Sequence, residues 1–355
     1  MLQMETSKTA KKTGENLEFA IICQNLTRIY TRRIRESGLK GALKSFLHAK
    51  FTSKTAIQNL NLSIKKGSVT GLVGSNGAGK TTFLKMCAGL LHPSSGDLKV
   101  FGFVPSQREI FFQRKIGMVM GQKSQLWVDI SAFETFELLA SIYQVPESVF
   151  RTRVSEYSKI FQVEAYLHTQ VRRLSLGERM KLEIIAALIH QPELLILDEP
   201  TIGLDVVARR AIREFIRTYN KETGTTIILS SHDMNDIEEV CDDLILVAEG
   251  KALYQGALSR FSKIHEHHKS FIEREIEFRF DLNKAPNSIQ CEEIAKLQNA
   301  IVTETNTILA KFRVSKMQVA DLISAVLKIA TPIDIRIEGQ KLESLIHDLI
   351  VEAAI

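Results

Sequence analysis

The sequence predicts an α/β fold on a mixed, mostly parallel sheet with a helical subdomain, followed by a small α+β domain. Three observations carry this. Apolar strand-like runs at 194–197, 226–229 and 244–248 alternate with helical segments at 178–190, 206–221 and 233–241, and such alternation puts helices on the faces of a parallel sheet. A glycine-rich turn, GSNGAGKT (74–81), lies between a strand and a helix. After about residue 264 the pattern changes to period-two runs, EIEFRF (275–280), ILAKFRV (308–314) and IDIRIEG (333–339), with helical segments 316–330 and 341–353 between and after them.

The elements follow in order. Residues 1–16 have no apolar segment and read as a disordered tail, not a secretory signal. Residues 17–30 read as a strand. The stretch 31–55 carries seven Lys/Arg against one acid and interrupts an otherwise compact β-hairpin region. Within it Leu39, Leu43, Phe46 and Leu47 fall at helical spacing, which suits a solvated basic helix or one resting on an anionic membrane surface. Residues 56–74 supply two strands with a turn at Lys66-Gly67, and the second strand ends at Gly74. Residues 80–91 have helical periodicity, stopped by His92-Pro93, and residues 133–170 are helical with a break at Val145-Pro146. The domains expected are a tail (1–16), a large domain (17–264) with a basic insert (31–55) and a helical subdomain at about 125–190, and a C-terminal domain (265–355).

Composition narrows the class. With 355 residues, 45% of them apolar, the chain can bury one large core and a small one. No apolar run approaches the roughly 20 residues that span a bilayer. Cys23, Cys87, Cys241 and Cys291 are scattered, which argues against a disulfide framework or zinc site and suits a reducing compartment. HEHH (265–268) has no further ligand at suitable spacing. The net charge of +5 suits an anionic ligand such as nucleotide phosphates but is too sparse for a nucleic-acid stripe.

Two motifs carry chemistry. In Gly74, Ser75, Asn76, Gly77, Ala78, Gly79, Lys80, Thr81 and Thr82, glycines let backbone N–H groups turn toward phosphate oxygens, and the following helix adds its positive end. Lys80 reaches the β- and γ-phosphates, and the Thr81 hydroxyl ligates Mg²⁺. LLILDEP (194–200) then puts two carboxylates just past the carboxyl end of a buried strand, where ligands sit in such sheets. Asp198 suits Mg²⁺, and Glu199 is left to orient or deprotonate an attacking water.

The order of further motifs resembles one family. Gln122 in MGQ, LSLGE (174–178), Gly203-Leu204-Asp205 and His232 in SSH complete the series of the ATP-binding cassette (ABC) ATPases, which share the P-loop NTPase fold. The wording VMGQKSQLW, LSLGERMK and EPTIGLDVVA, and the basic insert, resemble cassettes that serve ABC-2 type export permeases. That resemblance implies an ATP hydrolase that works as a pair of cassettes. Ser175 and Gly177 of one copy, with Glu178 beside them, would close over the γ-phosphate held by the other. Leu176 and Glu178 stand where the family has glycine and glutamine; Leu176 is harmless unless its position needs φ > 0. The family also implies that Gln122 senses Mg²⁺ and the attacking water, that His232 contacts the γ-phosphate and that Asp205 links the copies. Tyr30 matches the aromatic that stacks on adenine, with Phe46, Phe51 and a core role as alternatives. Ser175 and Glu178 also spell a helix capping box, and Trp127 suits either an interface or a core.

The implied partners are a separate membrane permease and a second cassette, with no nucleic acid, at the cytoplasmic face of the membrane. The alternatives are a soluble ATPase of translation or DNA repair, or an importer cassette. Translation members resemble tandem cassettes. Repair members resemble proteins with a coiled coil or zinc modules between phosphate loop and signature, where this chain has 93 residues between Thr81 and Ser175.

Overall fold

The computed structural model describes residues 18–33, 51–121, 123–261, 273–282, 284–298, 300–315 and 318–339. The expected tail, residues 34–50 of the basic stretch, Gln122, the HEHH cluster and the expected helix at 341–353 lie outside the described residues. The chain divides into two compact units, Met1–Leu258 and Ser259–Ile355.

Two sheets build the first unit. β1 (Phe19–Arg33), β2 (Phe51–Lys65) and β4 (Ser95–Val100) form an antiparallel sheet in the order β2-β1-β4. Arg33 pairs with Phe51, so both ends of the basic stretch are strand. The second sheet runs β5 (Ile116–Met120), β6 (Leu194–Asp198), β7 (Thr226–Ser230), β3 (Val69–Val73), β8 (Asp243–Ala248) and β9 (Lys251–Ala257). Its first five strands are parallel and β9 returns antiparallel to β8. β3, β6 and β7 are buried at every position. Strands covered on both faces read as continuous apolar runs rather than alternating ones, as these do.

Helix α1 (Lys80–Cys87) lies between the sheets: Phe83, Leu84 and Met86 share one buried cluster with Leu26 and Leu98 of the small sheet and Leu72, Ile196 and Ile228 of the large one. After α2 (Ile110–Gln113) and β5 come α3 (Ala132–Tyr143) and α4 (Glu147–Phe161), separated where Gln144 takes φ 57 and Pro146 starts the next helix. Then follow α5 (Leu176–Leu188), α6 (Val206–Thr223) and α7 (Met234–Val240). Phe161 of α4 stacks on Phe215 of α6 with centroids 4.2 Å apart, which anchors the helical segment to the helix after β6.

The second unit is β10 (Glu273–Arg279), α8 (Ser288–Leu297), β11 (Ile301–Asn306), β12 (Leu309–Ser315), α9 (Val319–Ile329) and β13 (Asp334–Gly339). Sheet order β11-β12-β10-β13 with antiparallel neighbours makes this βαββαβ unit ferredoxin-like. Period-two runs mark three of its strands in the sequence. β11, IVTETN, is mostly polar and exposed and carries no such signal. One sheet face packs Ile276, Phe278, Phe312 and Val314 against Ile294 of α8 and Leu322 and Val326 of α9. The other face is a charge lattice. Glu277 stands opposite Lys311 on β12 and Arg336 on β13. Lys311 Nζ lies 2.8 Å from Glu304 and 3.5 Å from Glu277, and Arg279 Nε donates to Glu277 at 2.6 Å.

Candidate nucleotide site

The site assembles where β3, β6 and β7 end. β3 runs into the loop 74–79 and α1 starts at Lys80. Gly79 takes φ 107, and a Cβ there would lie 2.4 Å from the Ala56 carbonyl oxygen, so only glycine fits. No side chain caps α1, so its first amides keep their capacity for an anion. Lys80 is 7% exposed and lies across the loop, its Nζ donating to the Gly74 carbonyl at 2.6 Å and the Ser75 carbonyl at 3.3 Å. Burial pulls its pKa below the usual lysine value, against the pull of Glu199 and Asp198.

Asp198 ends β6. Its Oδ1 accepts from Thr81 Oγ1 at 3.2 Å and from Ser230 Oγ, at the end of β7, at 2.7 Å. Glu199 follows at φ 57, costly for a residue with a Cβ. The Glu199 amide donates to Ser230 Oγ at 3.0 Å and to the Ser230 carbonyl at 3.1 Å, and these two bonds hold the strained turn. Glu199 Oε1 is 3.0 Å from His232 Nε2. Burial pushes the Glu199 carboxyl above the ordinary carboxylate range; Lys80 opposes this, and Asp198 and Asp236 add to it. Burial and Lys80 push His232 below the usual histidine range, against the pull of Asp198, while its Nε2 faces the Glu199 carboxylate.

A cleft of about 320 Å³ joins these groups, lined by Tyr30, Lys54, Ala56, Ser75, Asn76, Gly77, Ala78, Gly79, Lys80, Thr81, Thr82, Glu199, Ile202 and His232. Gly74 and Asp198 join it through Lys80 and Thr81. Tyr30 stands at its edge with its hydroxyl 3.4 Å from Thr82 Oγ1 and the Arg28 guanidinium 4.9 Å from its ring. Register shifts at Leu26/Arg28 and Arg28/Ile29 turn β1 here, a common device beside binding sites. Tyr30 is part-exposed rather than in the core.

Ser175, Gly177, Glu178 and Asp205 do not line this cleft. Ser175 caps α5 in a complete capping box: its hydroxyl accepts the Glu178 amide at 3.3 Å, and Glu178 Oε2 accepts the Ser175 amide at 2.8 Å. Burial works against the Glu178 carboxylate, but the Ser175 bonds and the Tyr166 hydroxyl hold its pKa below the usual range. Leu176 is the first residue of α5, with no positive φ, so it does not strain the turn. Asp205 caps α6, accepting the Ala208 amide at 2.8 Å. Trp127 is exposed, which removes the core alternative.

Three contributors were not evident from the sequence. Ser230 ties Asp198 to the Glu199 backbone. Gly121, ahead of Gln122, donates its amide to the Asp198 carbonyl at 2.8 Å, and a Cβ there would lie 2.2 Å from the Glu199 carbonyl oxygen. Asp236 is fully buried and accepts from Thr201 Oγ1 at 2.5 Å, Ser231 Oγ at 2.6 Å and Arg213 Nε at 2.6 Å. It therefore joins the loop after Glu199 to the residue before His232. The sequence signal for Ser230 was its place at a strand end beside the acidic strand; Asp236 had none, because a lone acid in a helix is usually solvated.

The chain resembles known proteins in sequence and in fold. The family model described as "ABC transporter" matches residues 57–202. The ABC transporter ATP-binding protein NatA of Bacillus subtilis (strain 168) is 37% identical over 203 residues, 57% of this chain and 82% of that protein. The Nod factor export ATP-binding protein I of Ralstonia nicotianae (strain ATCC BAA-1114 / GMI1000) is 32% identical over 210 residues, 59% of this chain and 65% of that protein. A solved dimeric ATP-binding cassette in a post-hydrolysis state, bound to ADP and Pi, superposes with a TM-score of 0.56 at 25% identity, over 67% of this chain and 98% of that one. With its phosphate loop, acidic strand end and signature helix on this fold, the chain belongs to the ATP-binding cassette family of ABC transporters, as an ATP-hydrolysing subunit related to export-type members.

Proposed function

We propose that the chain powers export through an ABC-2 type permease on separate polypeptides, by ATP-driven pairing of two cassettes. The observation that carries this is the separation of two half-sites on one chain. Lys80, Thr81, Glu199 and His232 converge in the cleft, while Ser175 and Gly177 stand outside its lining at the start of α5. In the pair, Ser175 and the Gly177 amide of one copy complete the γ-phosphate contacts of the other. Val206 and Val207, both 77% exposed beside Asp205, add apolar surface to bury between the copies. The name of the Nod factor relative and the wording around Gln122 and Ser175 support export; importer or soluble roles have no such support. No helix among the described residues is long and apolar enough to cross a membrane, which fits a peripheral subunit on the cytoplasmic face beside a separate permease.

The loop amides and Lys80 hold the triphosphate, Lys80 exchanging its carbonyl partners for phosphate oxygens. Tyr30 stacks on the adenine. Glu199 orients the attacking water and takes its proton as the bond from the γ-phosphorus to the bridging oxygen breaks, leaving ADP and phosphate. His232 contacts the γ-phosphate and fixes the Glu199 carboxylate. The donor set fits Mg²⁺: Thr81 and Asp198 offer hard oxygens 3.2 Å apart, few enough for an ion that keeps waters and phosphate ligands. When bound, that ion neutralises charge on the β- and γ-phosphates. By the family resemblance, Gln122 would sense that ion and the attacking water.

The purified chain tests this. Hydrolysis should rise faster than linearly with protein concentration. Glu199→Gln should retain MgATP and accumulate as dimers, and Ser175→Arg should stop hydrolysis while the monomer still binds nucleotide. Hydrolysis at a constant rate per chain on dilution to monomer, or an active Ser175→Arg protein, overturns the proposal.

A further inference from the structure

One buried carboxylate has no part in the chemistry above. Glu183 lies inside α5, eight residues beyond Ser175, and is 3% exposed. Its oxygens accept the Gln125 amide at 2.9 and 3.1 Å, the Leu126 amide at 3.4 Å and, in a shorter contact, the Ser124 hydroxyl. These three residues belong to the segment that leaves β5 at Gly121, and the Gly121 amide is itself bonded to the Asp198 carbonyl at 2.8 Å. Hydrogen bonds thus tie Gly121 to the acidic end of β6 and, a few residues further along the same segment, tie Ser124–Leu126 to the helix that begins at Ser175. Burial pushes the Glu183 carboxyl up and the bonds from Ser124, Gln125 and Leu126 oppose it. A buried acid whose acceptors are all in use fixes its donors tightly, because losing it strands buried N–H groups without partners.

Resting on the two-copy arrangement above, we propose that Glu183 is a positioning residue that makes α5 follow the Ser124–Leu126 segment. A shift at the ends of β5 and β6 in one chain then moves Ser175 against the nucleotide of the other. The β5 exit and the capped start of α5 are joined through the interior of the helix, so the signature end can move without breaking its own cap. Glu183 touches no nucleotide and lies outside the cleft lining, so it acts only through Ser175.

The test uses the full chain carrying Glu183→Gln or Ser124→Ala. Readouts are kcat, KM for ATP, MgATP retention by the monomer, and MgATP-dependent pairing in a Glu199→Gln background. Nucleotide retention and KM should stay within about twofold, while kcat falls and the dimer dissociation constant rises by about tenfold for Glu183→Gln, and less for Ser124→Ala, which removes one contact of the set. Parental kcat and pairing in Glu183→Gln, or a parallel loss of nucleotide retention, overturns the proposal. If Glu183→Gln does not fold, Ser124→Ala decides by the same measures. Failure of the Glu199→Gln chain itself to pair is a separate result, and it removes the two-copy arrangement along with this inference.

Discussion

Around Lys80, burial moves both signs of charge toward neutrality: the lysine is pulled down and Glu199 is pushed up. On the outer sheet face of the second unit the same residue types move the other way. The Arg279 hydrogen bond holds Glu277 below its usual range, and Glu304 holds Lys311 above its own. The backbone follows suit, since Glu199 sits at φ 57 while Glu277 lies in regular strand. Charges in the second unit are completed by each other across strands. In the cleft burial outweighs the mutual attraction of Lys80 and the two acids, which leaves Lys80 ready for an anionic phosphate and the acids ready for a cation or a water.

Substitutions can break this contrast. Lys80→Ala should have the largest effect, removing MgATP retention and with it hydrolysis, read by equilibrium binding. Glu199→Gln should keep binding and lower kcat on the order of 10²–10⁴-fold in single-turnover assays; a smaller loss would mean the strained acid is structural. Asp236→Asn removes the charge that faces Arg213 from a fully buried position and should cost about 3 kcal/mol in denaturant unfolding of the first unit.

The pH dependence of stability sharpens the contrast by sign. Glu199 has its folded pKa raised, so its ionisation opposes folding as the pH rises through the carboxylate range. Glu199→Gln should therefore be more stable than the parent at pH 8, on the order of 0.5–2 kcal/mol, and the gain should vanish by about pH 4. Glu277 has its folded pKa lowered, so its contribution is present above the unfolded value and lost as the pH falls through the folded one. Glu277→Gln should lose stability at neutral pH, by no more than about 0.5 kcal/mol because the pair is screened by solvent, with no loss in acid. Melting curves at both pH values check the two signs together.

The parts of the site that could be read from the sequence are those whose chemistry needs rare local patterns. A loop that turns amides toward phosphate needs glycines at fixed offsets, and an acid pair after four apolar residues, downstream of such a loop, reads as the end of a buried strand. Ser230, Asp236 and Glu183 were not legible, because a serine or an acid acquires its role only when distant strands and helices meet. The same holds for the fold. Continuous apolar runs announced β6, β7 and β8, and the interrupted hairpin region anticipated β1 beside β2, whereas the polar edge strand β11 depends on a partner that its own pattern does not reveal.

The Ser230 hydroxyl accepts from the Glu199 amide and donates to Asp198, so it spans two neighbouring strands at once. The alignment of β6 with β7 is thereby a vernier for hydrolysis: sliding one strand by a single residue, about 3.3 Å, would turn that hydroxyl to the opposite face and release both acids. Insertions or deletions near the ends of these two strands should consequently silence turnover long before they unfold the sheet.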